Sequence, residues 1–216
     1  MPHPYWPLFD LKVSTPRLEL RAPTDDDLVA LAELASRGVH DPATMPFLIP
    51  WTDEPSPALE RGILQWGWRH RAEWTPAKWA FNGVVVVNGE IVGVQDLKGT
   101  SFSTLRTVET GSWLGRAHQG RGIGTEMRAA ILHLAFEGLA ALEARSGARI
   151  DNLASSGVSR ALGYVDNGEN FELVRGVRAR QLHFRLDRET WMARRRDDIT
   201  ISGLENCSDL FGITGE

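Results

Sequence analysis

The stretch GSWLGRAHQGRGIGTEMRAA, residues 111–130, places five glycines in its first fourteen residues and then turns helix-forming. Glycine adopts positive φ at no steric cost and lets a ligand approach the main chain closely. The first turn of a helix adds unpaired N–H groups and a partial positive charge. Bare backbone aimed at a helix start therefore builds an anion site, usually for phosphate. Two common phosphate motifs do not fit. A Walker A loop needs Lys and then Ser or Thr after its last glycine, whereas Gly124 is followed by Thr125 and Glu126. The dinucleotide fingerprint needs a third glycine where Thr125 stands, and it belongs early in a parallel unit.

The flanking patterns set the architecture. RLELRAP (17–23) alternates like a half-buried strand, and TDDDLVALAELASRG (24–38) reads as a helix with Thr24 as N-cap and Gly38 past its end. The acids Asp25, Asp26 and Asp27 complement the helix dipole rather than mark a metal site. Residues 40–79 are irregular, with a helix around 59–73, and hold five tryptophans. VVVVNGEIVGVQDL is a hairpin signal, with Asn88-Gly89 at the tight turn. LRTVETGSWL (105–114) is the next strand, and the helix after the glycines places Ile123, Met127, Ile131 and Leu134 on one face. A short strand leads to Asn152, SSGVSRALGY gives a helix closed at Gly163, and two strands meet near Gly176. Strand, helices, three strands, helix, strand, helix, two strands is a mixed α/β layer arrangement, not a repeated βαβ series.

Composition removes several function classes. A net charge of -4 gives no bulk attraction to nucleic acid or anionic membrane, and the triple arginine at 194–196 reads as a solvated helix end. Cys207 is the single cysteine, so neither an internal disulfide nor a cysteine-rich metal site is expected. The opening residues lack a signal-peptide pattern, and runs such as AAILHLAF are too short to span a bilayer. A cytoplasmic protein is the expectation.

What remains of the glycine stretch is Q-x-x-G-x-G: Gln119, Gly120, Arg121, Gly122, Ile123, Gly124. This resembles the acyl-coenzyme A signature of the GNAT superfamily of N-acyltransferases. STPRLELRAPTDDDL, VETGSWLGRAHQGRGIG, DNLASSGVSRALGY and HFRLDRETW are similar, in order, to segments of the branch that includes the ribosomal-protein N-terminal acetyltransferases. The resemblance implies an acyltransferase domain at 14–194, with an N-terminal arm at 1–13 and a C-terminal tail at 195–216. It implies a GNAT fold: a central mixed sheet flanked by helices, whose fourth and fifth strands splay apart to admit the pantetheine arm. Main chain around Trp113 and Leu114 would pair with that arm. Residues 119–124 with Thr125 would hold the pyrophosphate, and Asn152 would bond to the pantetheine amides.

The same resemblance implies direct acyl transfer from acyl-CoA to a primary amine, with a backbone N–H near Leu114 polarising the carbonyl. Acetyl-CoA is the simplest donor and succinyl-CoA the alternative; a basic or hydroxyl-rich pocket beyond the thioester would favour a carboxylated acyl group. Glu109 occupies a position where many relatives carry a catalytic glutamate, and its other reading is a strand-surface carboxylate. Strand alternation places Glu109, Gly111 and Trp113 on one face. Ser159 stands where many relatives have a tyrosine acid. Ser155 matches a serine that some members offer to the departing sulfur, and equally reads as a helix cap, while Tyr164 reads as packing. Trp51, Trp66, Trp68 and Trp74 read either as a binding wall or as core. Glu54, Glu73 and Asp96 face either a cationic amine or solvent. The acceptor is a protein N-terminus, a lysine or a small amine, and no metal is expected. A homo-oligomer and a catalytically inactive coenzyme-binding module both remain open.

Overall fold

The sheet starts earlier in the chain, and ends later, than the alternating patterns predict. In the computed structural model, which describes residues 3–213, β1 (Lys12–Ser14) precedes β2 (Leu18–Arg21). The helices α1 (Asp25–Ser36) and α2 (Ala58–Ala72) come next. The hairpin of β3 (Lys78–Val87) and β4 (Glu90–Thr100) turns at Asn88-Gly89, as the sequence pattern requires. A single-turn α3 (Phe102–Leu105) leads into β5 (Thr107–Leu114). The glycine loop opens α4 (Ile123–His133), which widens into one π turn over Leu134–Gly138. Then come β6 (Glu143–Arg149), α5 (Leu153–Ala161), β7 (Val165–Val174), β8 (Val177–Asp187), α6 (Arg188–Met192) and β9 (Thr200–Ser202).

Among the described residues all nine strands form one sheet, ordered β7-β8-β6-β5-β4-β3-β2-β1-β9. Every pairing is antiparallel except β5 with β6, which the crossover through α4 makes parallel. The β5–β6 register runs only from Thr107↔Glu143 to Thr110↔Ser146. Beyond it β5 continues to Leu114 and β6 to Arg149 with no pairing between them, so two strand edges face each other across a gap.

Apolar side chains sort the helices onto the two faces. Leu28, Leu31 and Ile63 of α1 and α2 bury Val84 and Val94 on one side. On the other, Ile123, Met127, Ile131 and Leu134 pack with Leu20, Leu97, Val108 and Phe184. Thr24 and Asp27 cap α1 reciprocally, each side chain accepting the other's amide.

The arm and the tail join this core. Leu8, Leu11 and Val13 are buried, as are Ile199, Cys207 and Phe211. β1 pairs on one side with β2 and on the other with β9, so the tail supplies an edge strand instead of hanging free. Trp74 Nε1 and Trp79 Nε1 donate to the Leu210 and Phe211 carbonyls at 2.8 and 3.2 Å, pinning the tail to the sheet. Strands of three residues are too short to carry a legible alternation, and both lie at or beyond the margins of the domain that the family resemblance implies.

Candidate active site

The gap between β5 and β6 opens into a cleft of about 1470 Å³. Single-ligand pockets span roughly 300–1,000 Å³, so this one has room for two substrates side by side. The glycine loop lies at one end. Gly120 (φ 72°) and Gly122 (φ 77°) are left-handed, and a Cβ at Gly120 would point into open space. Gly122 is also the N-cap of α4 and has no side chain to satisfy the first amides. The N–H groups of Ile123, Gly124 and Thr125 are therefore available to an anion at the positive end of the helix.

The loop's side chains are mostly engaged elsewhere. Gln119 Nε2 donates to the Val39 and Leu114 carbonyls at 2.6 and 2.9 Å, which ties the loop to β5 and to the segment after α1. Arg121 is exposed and lends its carbonyl to Arg17. Ile123 is buried in the core. Glu126, one turn into the helix, sits where a phosphate would be repelled. Burial opposes its ionisation, but Thr15 Oγ1 (2.6 Å) and Arg17 Nε (2.7 Å) outweigh that and hold its carboxyl below the ordinary value. Its charge is matched by Arg17.

Asn152 and Ser155 line the opposite wall. Asn152, not Ser155, is the cap of α5: its Oδ1 accepts the Ser155 amide at 3.1 Å. Ser159 is fully buried, and Tyr164 is buried with its hydroxyl 3.4 Å from Thr110 Oγ1, so the aromatic after Leu-Gly is packing.

The wall on the α1 and α2 side is aromatic. Trp113 packs against Trp51 (ring centroids 5.6 Å) and Trp51 against Phe47 (5.2 Å). Trp51 and Trp66 line the cleft. Trp68 bonds Asp25 on the outer surface, and Trp74 stacks on Trp79 under the tail. Glu54 reaches the cleft, whereas Glu73 lies outside its lining.

Glu109 is exposed on β5 opposite Lys98 and is not part of the cleft lining. Asp96 is. Register places it directly across from Gly111, and a Cβ at 111 would stand 3.3 Å from Asp96 Oδ2. Asp96 is 8% exposed, and its Oδ1 has no hydrogen-bond partner. Burial pushes its carboxyl up to about 6, against the pull of Lys98 and Arg128. A carboxylate held near neutrality beside a bare glycine can accept a proton from a bound amine. The sequence names Asp96 only among possible amine contacts. Its special position comes from strand register, which no local pattern encodes.

Arg128 is the feature sequence reasoning missed. It is only 2% exposed, beneath the point where β5 and β6 part. The thiol of Cys207 is pushed up to about 12 by burial, and it lies outside the cleft lining, so it is no nucleophile for this site. Among the described residues no group of three His, Cys, Asp or Glu could hold a metal, and no helix is long and apolar enough to cross a membrane.

Residues 17–165, which include the parted parallel pair and the glycine-capped helix, match a family model, "Acetyltransferase (GNAT) domain". The chain belongs to the GNAT acetyltransferase family. Solved structures share the fold. RimL, a ribosomal L7/L12 α-N-protein acetyltransferase in complex with coenzyme A, has a TM-score of 0.65 and 20% identity, covering 82% of this chain and 97% of that one. The ribosomal-protein-S5-alanine acetyltransferase from Vibrio fischeri has a TM-score of 0.62 and 18% identity, covering 83% and 98%. A GNAT-family acetyltransferase from Bacillus anthracis gives 0.65 and 16%, covering 82% and 99%. In this GNAT fold, β5 and β6 are the splayed pair.

Proposed function

We propose that the protein transfers an acyl group from acyl-CoA to a primary amine while both substrates are bound. The observation that carries this reading is the unpaired β5 edge, residues 111–114, running from the glycine loop to Asp96. The amides of residues 122–125 would take the pyrophosphate, and the open edge would take the pantetheine arm as an added strand. The donor when bound supplies an activated thioester, with acetyl the simplest acyl group in this family. A β5 backbone N–H near Leu114 would polarise its carbonyl.

Asp96 is the base in this scheme, in place of Glu109. It accepts the proton that the amine loses as the carbon–nitrogen bond forms and the carbon–sulfur bond breaks. Ser155, which lines the facing wall, would return a proton to the sulfur. The demand on Asp96 depends on the acceptor. At pH 7 a protein α-amine (pKa about 7.7–8.0) is roughly one-tenth neutral, whereas a lysine (about 10.4) is neutral at the ~0.04% level. That gap is roughly 3.5 kcal/mol. A carboxylate at about 6 suits the α-amine. RimL, which is named for α-N acetylation, supports the same choice.

Release of free thiol from acetyl-CoA, followed with peptides bearing either a free N-terminus or only a lysine, tests the proposal. The N-terminal peptides should react faster. Binding of CoA with no thiol release for any amine would instead support a non-catalytic coenzyme-binding module. No calorimetric heat with CoA would remove the reading altogether.

A further inference from the structure

Acyl transfer by backbone amides and Asp96 leaves one buried charge without a task. Arg128 lies in α4 with its guanidinium pointing at the vertex of the splay. Its Nη1 donates to Ser146 Oγ at 2.9 Å, its Nη2 to Ser112 Oγ at 3.1 Å and its Nε to Gln95 Oε1 at 3.4 Å. All three acceptors are neutral, and among the described residues the group makes no salt bridge. An arginine this buried is normally paired with a carboxylate, because an uncompensated charge is costly away from water. Three of its five N–H groups are used, leaving donors to meet an anion.

The charged and titratable groups nearby do not fill that role. Glu126, on the same helix, is bound by Thr15 and Arg17. Tyr164 also meets the guanidinium, but burial raises its hydroxyl's pKa against the pull of Arg128 and Thr110, so it too is a neutral neighbour. Asp96 is on the other face of the sheet: the pairs Gln95↔Ser112 and Asp96↔Gly111 alternate sides, and Gln95 and Ser112 point toward α4. The sheet therefore separates an acid facing α1 and α2 from a cation facing α4, with the open β5 edge between them.

We infer that Arg128, with Ser112 and Ser146, binds the carboxylate of the donor's acyl chain, so that the preferred donor is the CoA monothioester of a dicarboxylic acid, of which succinyl-CoA is the four-carbon example. This rests on the acyl-CoA reading above. Along the open edge Ser112 lies next to Gly111, where Asp96 would receive the amine. An acyl group there has the acceptor on one face and the guanidinium on the other. An arginine flanked by two hydroxyls can hold a carboxylate through two N–H groups while the hydroxyls reorient to donate.

The test compares CoA, acetyl-CoA, butyryl-CoA and succinyl-CoA, by calorimetry without acceptor and by thiol release with a reactive amine. Butyryl matches the length of succinyl without its charge. In the wild type, succinyl-CoA should bind about tenfold or more tightly than butyryl-CoA, as a charge-assisted hydrogen bond implies, and show the higher kcat/KM. Arg128→Met should abolish or invert that ratio while CoA affinity stays within about twofold, the tolerance for independent sites. Should Arg128→Met fail to fold, Ser146→Ala and the wild-type donor series still decide. Equal or weaker binding of succinyl-CoA relative to butyryl-CoA by the wild type overturns the inference, with acyl transfer intact. Failure of CoA itself to bind overturns both.

Discussion

Asp96 is costly to the fold in the form that would be useful to the reaction. Its folded carboxyl lies at about 6, above the ordinary 3.8. The native state thus binds this proton more tightly than the unfolded chain, and stability falls as pH rises from about 4 through 6. At about 1.4 kcal/mol per unit, the whole effect is about 2–3 kcal/mol. Asp96→Asn should therefore stabilise the protein by about 1–3 kcal/mol at pH 7.5. The gain should vanish below pH 4, which urea titrations at the two pH values would read. The same variant should lower kcat/KM by a factor on the order of 10²–10⁴, the usual worth of a general base. The wild-type kcat/KM should rise as pH passes 6, and the variant should lose that rise. A variant that is both less active and more stable separates a functional carboxylate from a structural one.

At the scale of elements, two contacts govern the ends of the cleft. Gly122 starts α4 at φ 77°, and a Cβ there would meet only Arg17 Nη2, at 3.6 Å. Gly122→Ala therefore meets a backbone penalty rather than a clash, about 1–2 kcal/mol, and should weaken CoA binding about tenfold in calorimetry. At the acceptor side, the β7–β8 turn reaches across to the irregular segment before α2. There Arg175 Nε and Nη2 bond the two Asp53 oxygens at 2.7 and 2.5 Å, and Met45 packs with Val174 and Ala179. Arg175→Ala should speed amide hydrogen exchange at residues 44–53 and raise KM for the amine while leaving KM for the donor alone.

These elements also show where sequence was informative. The glycine loop, the Asn88-Gly89 hairpin and the α4 apolar face were legible because each is a local pattern with its own physical cause. Asp96 and Arg128 were not, because one depends on which β4 residue faces Gly111 and the other on a gap that exists only after two strands have parted. Alternation correctly puts Glu109 on the face of Gly111 and Trp113, but says nothing of how far along β5 the cleft extends.

At the scale of the whole molecule, the domain does not end where the family pattern does. Leu8, Leu11, Val13, Ile199 and Phe211 are buried, all outside residues 14–194 or in the paired strands at its margins. Burial of each large apolar side chain contributes roughly 1.5–3 kcal/mol, so together they rival the 5–15 kcal/mol by which domains are usually stable. A chain cut to residues 14–194 should show no cooperative thermal transition by circular dichroism, whereas the full chain should.

The pairing of β1 with β9 has a mechanical consequence. Lys12 faces Ser202 and Ser14 faces Thr200, so the segments before residue 12 and after residue 202 leave the sheet at the same end. A force applied between them, in an optical trap for instance, would open this pair like a zipper, one rung at a time, instead of shearing all rungs at once. The first yielding event should come at low force and leave the β5–β6 gap untouched.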